Sequence, residues 1–173
     1  MHKMVNVEGK PVYPFYGTIF SNFAPCHFTA KCIDGETRTF KHSEQYFMAN
    51  KAILFKDYKM RDEIMNNAKD PWHVKACGRK VTNFDNDLWE EKSYEIMKTG
   101  VREKFQQNPE FLEELLKIGK THRFAEASPT DRKWGIGIGM TNPDNKDPSK
   151  WRGKNWLGQI FDELYEEFSS QSK

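Results

Sequence analysis

The stretch Thr37-Arg38-Thr39-Phe40-Lys41-His42-Ser43-Glu44-Gln45-Tyr46-Phe47-Met48-Ala49-Asn50-Lys51-Ala52-Ile53-Leu54 changes its period part-way along, and that change decides the fold class. Upstream, the Asp34-Gly35 turn signal separates residues 26–32 from 37–41, which read as the two arms of a β-hairpin. From Ser43 onward Tyr46, Phe47, Ala49, Ile53 and Leu54 recur at helical spacing, with Ser43 expected to cap the helix and Phe55 to end it.

The same reading extends in both directions. Residues 13–40 are rich in Phe, Thr, Ile and Tyr and punctuated by Pro14, Gly17, Pro25 and Gly35, the pattern of short strands joined by turns. Downstream, a polar helix is expected over 57–67, and Asp70-Pro71 opens a third helix that Gly78 ends or bends. A longer helix capped by Asn86 or Asp87 carries Trp89, Ile96, Met97, Val101 and Phe105, and Asn108-Pro109 starts another that reaches Gly119. Residues 121–127 and 134–138 are expected strands, 140–154 a polar loop, and Leu157, Ile160, Phe161, Leu164 and Phe168 the stripe of a closing amphipathic helix. The expected architecture is a single α+β domain over residues 1–173, core about 13–168, with short strands near both ends of a mostly helical middle.

Bulk composition agrees with one core and narrows the setting. At 173 residues and 14% aromatic, the chain can bury a sizeable interior, and it shows neither internal repeats nor low-complexity tracts. Lysine and arginine number 27 against 25 acidic residues, which neither demands nor forbids a polyanionic partner. Three cysteines without a C-x-x-C pair argue against a disulfide framework or a structural zinc site and suit a reducing, cytoplasmic setting. The first 14 residues hold no apolar signal core and no long apolar run follows, so a soluble, unexported protein is expected.

Several segments carry polar residues that a core alone does not need. Glu44 and Lys51 are seven apart on one helix, on nearly the same face. The spacing admits two readings: a functional pair, or two solvated heads at the edge of a buried stripe. In the run 126–135, Glu126, Asp131 and Trp134 flank a Ser128-Pro129 turn, and Asp131 is equally suited to capping backbone amides. Carboxylates beside aromatic rings suit cleavage or binding of a sugar–base bond, since the former stabilise developing positive charge and the latter hold a flat base. Gly135-Ile136-Gly137-Ile138-Gly139 matches neither dinucleotide nor P-loop spacing, though alternating glycines permit close approach to a ligand. Trp151-Arg152-Gly153-Lys154-Asn155-Trp156 suits a phosphate near a helix start, or a helix cap by Asn155 with exposed cations. The five histidines, His2 among them, show no i, i+4 pair and no H-E-x-x-H, so no catalytic metal is expected. Cys77 lacks the surroundings of a nucleophile, and neither Ser43 nor Ser128 sits in G-x-S-x-G.

Four separated motifs, in one order, together resemble the NADAR superfamily: Phe15-Tyr16-Gly17 with Phe20-Ser21-Asn22-Phe23; His42 through Ala52; Asp131 through Gly137; and Gly153-Lys154-Asn155-Trp156-Leu157-Gly158. The resemblance implies an N-glycosidase without cofactor that breaks a C1′–N bond, acting either on phosphorylated riboflavin-pathway intermediates or on ADP-ribosylated guanine in nucleic acid. It implies catalytic roles for Glu44, Lys51 and Asp131, the last lining the ribose pocket together with Trp134. It further implies substrate contacts from Tyr16, Gly17, Ser21, Asn22, Phe23, Gly135, Asn155 and Arg152 or Lys154, with Arg79 and Trp89 as further candidates for phosphate and base. A nitrogen base departing from ribose leaves an oxocarbenium-like centre that a nearby carboxylate stabilises. Lys51 admits a second route, attack on a ring-opened C1′ to form a Schiff base. Two other classes compete: a module that binds ADP-ribose or a nucleotide without cleaving it, and a general nucleic-acid binder, for which the chain offers no basic run.

Overall fold

A computed structural model describes residues 5–67 and 69–171; His2 lies outside them. Among the described residues the strands and α-helices are β1 (Val12–Phe15), β2 (Phe28–Lys31), β3 (Thr37–Phe40), α1 (Ser43–Leu54), α2 (Tyr58–Asn66), α3 (Pro71–Arg79), α4 (Asn86–Gln106), α5 (Pro109–Gly119), β4 (Arg123–Glu126) and α6 (Trp156–Gln171), with two short 3-10 turns at Pro143–Lys146 and Pro148–Lys150. The α+β expectation holds. The chain forms two compact units, Met1–Ser21 with Glu110–Lys173, and Asn22–Pro109.

In the unit of residues 22–109, β2 and β3 pair antiparallel from Phe28↔Phe40 to Lys31↔Thr37. Gly35 makes the turn with φ 87°, and Asp34 accepts both guanidinium nitrogens of Arg38 at 3.0 and 2.9 Å. The paired strands are shorter than the arms read from sequence; beyond Lys31↔Thr37, Cys32 N still donates in register to Glu36 O at 2.8 Å before Gly35 N closes the turn on Cys32 O at 2.9 Å. Helix α1 is buried on nearly every residue and packs against α2, α3 and α4. Glycines set two of those approaches. A Cβ at Gly78 would collide with Met48 Sδ, and one at Gly100 would lie 2.5 Å from Tyr46 Cδ1. α3 ends one residue past Gly78, at Arg79, and the missing side chain of Gly78 also admits α1.

In the other unit, β1 and β4 pair in parallel, Val12↔Arg123 to Phe15↔Glu126. Alternation along β4 sends Phe124 to a cluster with Phe20 and Phe161, ring centroids 5.1–5.5 Å apart, and sends Ala125 and Ala127 to a second cluster with Val12, Ile136 and Ile138. Asp162 on α6 accepts Phe124 N at 3.0 Å, and burial pushes its carboxyl up to about 7. Residues 134–138, expected as a strand, form bends and irregular backbone instead; Gly137 adopts φ 72°, which breaks extended geometry. No helix among the described residues is long and apolar enough to cross a membrane.

Candidate active site

The unit of residues 22–109 carries one group of expected site residues on and around α1. His42, not Ser43, caps this helix: its backbone is extended, and its Nδ1 accepts Gln45 N at 3.0 Å. The Ser43 hydroxyl donates to Asn22 Oδ1 at 2.9 Å, and Glu44 N donates to Asn22 O at 3.0 Å, so Asn22 anchors the first turn from outside. Gln45 accepts Lys41 N at 2.8 Å, and Asn50 accepts Ile33 N at 2.9 Å, which ties the hairpin to the helix. Within this frame Glu44 is only 7% exposed. A carboxylate in the first turn lies at the positive end of the helix dipole, and its field is strong where water is excluded.

Two turns on, the Lys51 ammonium sits 4.8 Å from the Phe84 ring centroid and 5.3 Å from that of Trp89. Phe47 backs Trp89 at 5.0 Å and Phe55 backs Phe84 at 5.3 Å. Rings so placed stabilise the cation by about 0.5–2 kcal/mol. Trp89 is buried, whereas Phe84 is 47% exposed and presents its ring beside the cation. Phe84 was not singled out in the sequence. Its signal is slight, a lone aromatic in the polar run Thr82-Asn83-Phe84-Asp85, and Asn83 with φ 60° makes the turn that presents it.

Phe23 meets Trp72 edge-on at 4.8 Å, with Lys75 Nζ 5.6 Å from the Trp72 ring. Trp72, 63% exposed, is a second aromatic the sequence reading passed over. Arg79 closes α3, exposed. A cleft of about 620 Å³ lined by Cys32, Ile33, Tyr46, Ile96 and Thr99 includes none of the expected site residues. Three donor atoms able to hold a metal ion come together at Glu63, His73 and Cys77.

The second group belongs to the unit of residues 1–21 and 110–173. Tyr16 and Gly17 follow β1, exposed, with Gly17 at φ 73°; Ser21 N bonds Thr18 O at 2.8 Å. Asp131 Oδ1 accepts Lys133 N at 2.9 Å and Trp134 N at 2.8 Å, so one carboxylate oxygen organises the turn, as capping requires. Ser128 Oγ accepts Asp131 N at 3.0 Å. Backbone bonds then fasten this turn to the approach of α6: Arg152 N to Ile136 O at 2.8 Å, Asn155 N to Gly135 O at 3.1 Å, Leu157 N to Trp134 O at 3.1 Å. Gly135 and Gly153 permit it, since a Cβ on either would press on carbonyl oxygens.

Asn155 is 1% exposed and left-handed at φ 58°. Its amide donates to Phe124 O at 2.9 Å and accepts Glu126 N at 3.1 Å, so both ends of the side chain grip β4. Outside this frame, Trp134 and Trp156 meet edge-on at 5.4 Å, Lys133 Nζ lies 5.1 Å and Lys154 Nζ 5.4 Å from the Trp156 ring, and Arg152 is exposed. Cations over indole rings make a surface that can take a phosphate and a flat base together.

Comparison with known proteins adds a family. The NADAR domain model matches residues 14–169. N-glycosidase R617 of Acanthamoeba polyphaga mimivirus is 38% identical over 149 residues, 86% of this chain and 86% of its own. N-glycosidase YbiA of Escherichia coli is 31% identical over 172 residues, covering 96% of this chain and 94% of YbiA. The NMR structure of the E. coli protein YbiA matches with a TM-score of 0.72 at 30% identity, over 96% of this chain and 89% of that one. Riboflavin biosynthesis protein VVA0006 of Vibrio vulnificus is 28% identical over 96% of this chain, which spans 41% of that protein.

Proposed function

This chain belongs to the NADAR family and is a hydrolase of N-glycosyl bonds, and on that premise we propose that it cleaves a ribose C1′–N bond with Glu44, Lys51 and Asp131 as catalytic residues. The observation that carries this assignment is α1: one helix buries a carboxylate in its first turn and, two turns on, holds an ammonium against two aromatic rings. As the C1′–N bond breaks, its electron pair leaves with the base nitrogen, which takes up a proton. Glu44 stabilises the positive charge left on C1′ and O4′, and water adds its oxygen to C1′ and gives up a proton. Lys51, as a cation, stabilises negative charge on the departing base or on phosphate.

The rings around Lys51 favour the electrostatic role over the nucleophilic one, because Schiff-base formation needs a neutral amine and the rings stabilise the charged form. Borohydride reduction during turnover, followed by mass spectrometry, tests this; an adduct on Lys51 would reinstate the covalent route.

For substrate contacts we retain Tyr16, Gly17, Ser21, Asn22, Phe23, Arg79, Trp89, Trp134, Gly135 and Arg152, and give Asn155 a positioning role because both ends of its amide hold β4. The substrate is a phosphorylated riboside: an ADP-ribosylated guanine in nucleic acid or a riboflavin-pathway intermediate. Three free cysteines suit a reducing compartment, and we place the protein in the cytoplasm.

The test incubates the purified protein with guanine-ADP-ribosylated oligonucleotide and, separately, with aminopyrimidine ribosyl phosphate, and follows ADP-ribose or ribose 5-phosphate by mass spectrometry. Release from one, lost in folded Glu44→Gln, names the substrate. Binding of ADP-ribose without release from either would favour the non-catalytic module.

A further inference from the structure

The geometry points to a site for a borderline-soft divalent cation of the zinc class between α2 and α3, held by Glu63, His73 and Cys77. His73 and Cys77 are four apart on α3, so they share a face and both turn toward α2, which supplies Glu63. His73 Nε2 lies 3.1 Å from Glu63 Oε1 and 3.5 Å from Cys77 Sγ, and all three donor atoms fall within 4.8 Å of one another. Metal bonds of about 2.0–2.3 Å at tetrahedral angles place donors about 3.3–3.7 Å apart, so a small adjustment of exposed side chains brings the set to coordination distance.

The donor types set the preference. One thiolate, one imidazole and one carboxylate suit zinc, and three protein ligands leave a fourth position to water; a hard cation such as magnesium would want oxygen alone. Burial supplies the rest of a site. Cys77 is 4% exposed and forms its floor, while His73 and Glu63, with side chains 43% and 49% exposed, form the rim through which an ion enters. The thiol proton passes to solvent as the ion binds. Neither Glu44 nor Lys51 takes part, so this inference stands apart from the glycosidase assignment. A search for paired histidines misses the set, because its i, i+4 pair is His–Cys and its third donor comes from another helix.

Consequences extend to α3. A cation bridging α2 and α3 would clamp the helix that bears Trp72 at its start and Arg79 at its end.

The test titrates the full chain, reduced and stripped of metal by chelation, with Co²⁺ as a spectroscopic stand-in for zinc. Expected are one equivalent bound, a thiolate-to-cobalt charge-transfer band in the near ultraviolet, loss of that band on adding Zn²⁺, and a rise in Tm with Zn²⁺. His73→Ala, at an exposed position where folding is not at issue, should weaken binding at least tenfold, and Cys77→Ser should abolish the charge-transfer band while Cys26 and Cys32 remain. Absence of the band, its persistence in Cys77→Ser, or unchanged affinity in His73→Ala would each overturn the site and leave a hydrogen-bonded cluster.

Discussion

Helix α1 and the turn at residues 128–137 both carry expected functional residues, but their backbones are satisfied in opposite ways. In α1 the helical ladder pairs the backbone locally, and the polar side chains of Ser43, Gln45 and Asn50 tie neighbouring segments to it. The turn has no ladder. Its amides are met by the side chains of Asp131 and Ser128 and by Glu126 O, its carbonyls accept the amides of Arg152, Lys154, Asn155, Trp156 and Leu157, and glycines let those backbones close together. A helix-borne charge can therefore be changed with little effect on the frame, whereas a loop-borne one is part of the frame.

Glu44→Gln breaks that contrast most severely if it is wrong. The expected result is a fall in kcat of about 10²–10⁴-fold with Tm nearly unchanged, read by riboside hydrolysis beside thermal unfolding. Loss of fold together with activity would move Glu44 from chemistry to scaffold.

Gly153→Ala probes the other region. Its Cβ would meet the Gly135 carbonyl and the Arg132 backbone, which cannot give way as a side-chain tip does. A loss of about 2–4 kcal/mol in denaturant unfolding is expected, and a wild-type midpoint would show that the turn is not held as described.

Asp131 tests whether one residue serves both roles. Asp131→Ala removes the acceptor for two amides and should cost about 1–2 kcal/mol. Asp131→Asn keeps that oxygen but loses the charge, so it should retain stability while activity falls; full activity in the Asn variant would confine Asp131 to capping.

The last expected effect is a pH slope within the unit that holds the turn. Asp162 in the folded state titrates at about 7, above its ordinary value of 3.8, because burial disfavours the carboxylate. The folded chain therefore keeps a proton that the unfolded chain gives up. This contribution to stability is fully present below about pH 4 and is lost as pH rises toward 7. Asp162→Asn, which keeps an acceptor for Phe124 N, should flatten stability between those values; an unaltered slope in urea titrations would remove Asp162 as its source.

Local features were legible because their partners lie within a few residues. Asp70 caps α3 where expected, Pro71 opens that helix, the polar helix read over 57–67 forms at Tyr58–Asn66 with Asp57 as its cap, and the Asp34-Gly35 hairpin forms, each settled inside one turn of chain. The expectation of a strand over residues 134–138 failed since alternation of glycine with isoleucine imitates a strand while Gly137 takes a left-handed backbone. His42 displaced Ser43 as cap because the hydroxyl found Asn22.

The amino-acid sequence by itself determined the helices, the Asp70 cap, the hairpin, and the ordered motifs that mark the family, because period and turn chemistry act over short separations; His42 rather than Ser43 caps α1, and Asp85 rather than Asn86 or Asp87 caps α4. Only the tertiary structure decided that β1 pairs with β4, that Lys51 faces Phe84 and Trp89, that both ends of Asn155 hold β4, and that Glu63 meets His73 and Cys77. Those outcomes depend on which buried surfaces pack together, and a side chain's distant partner follows from that packing rather than from its neighbours in the chain.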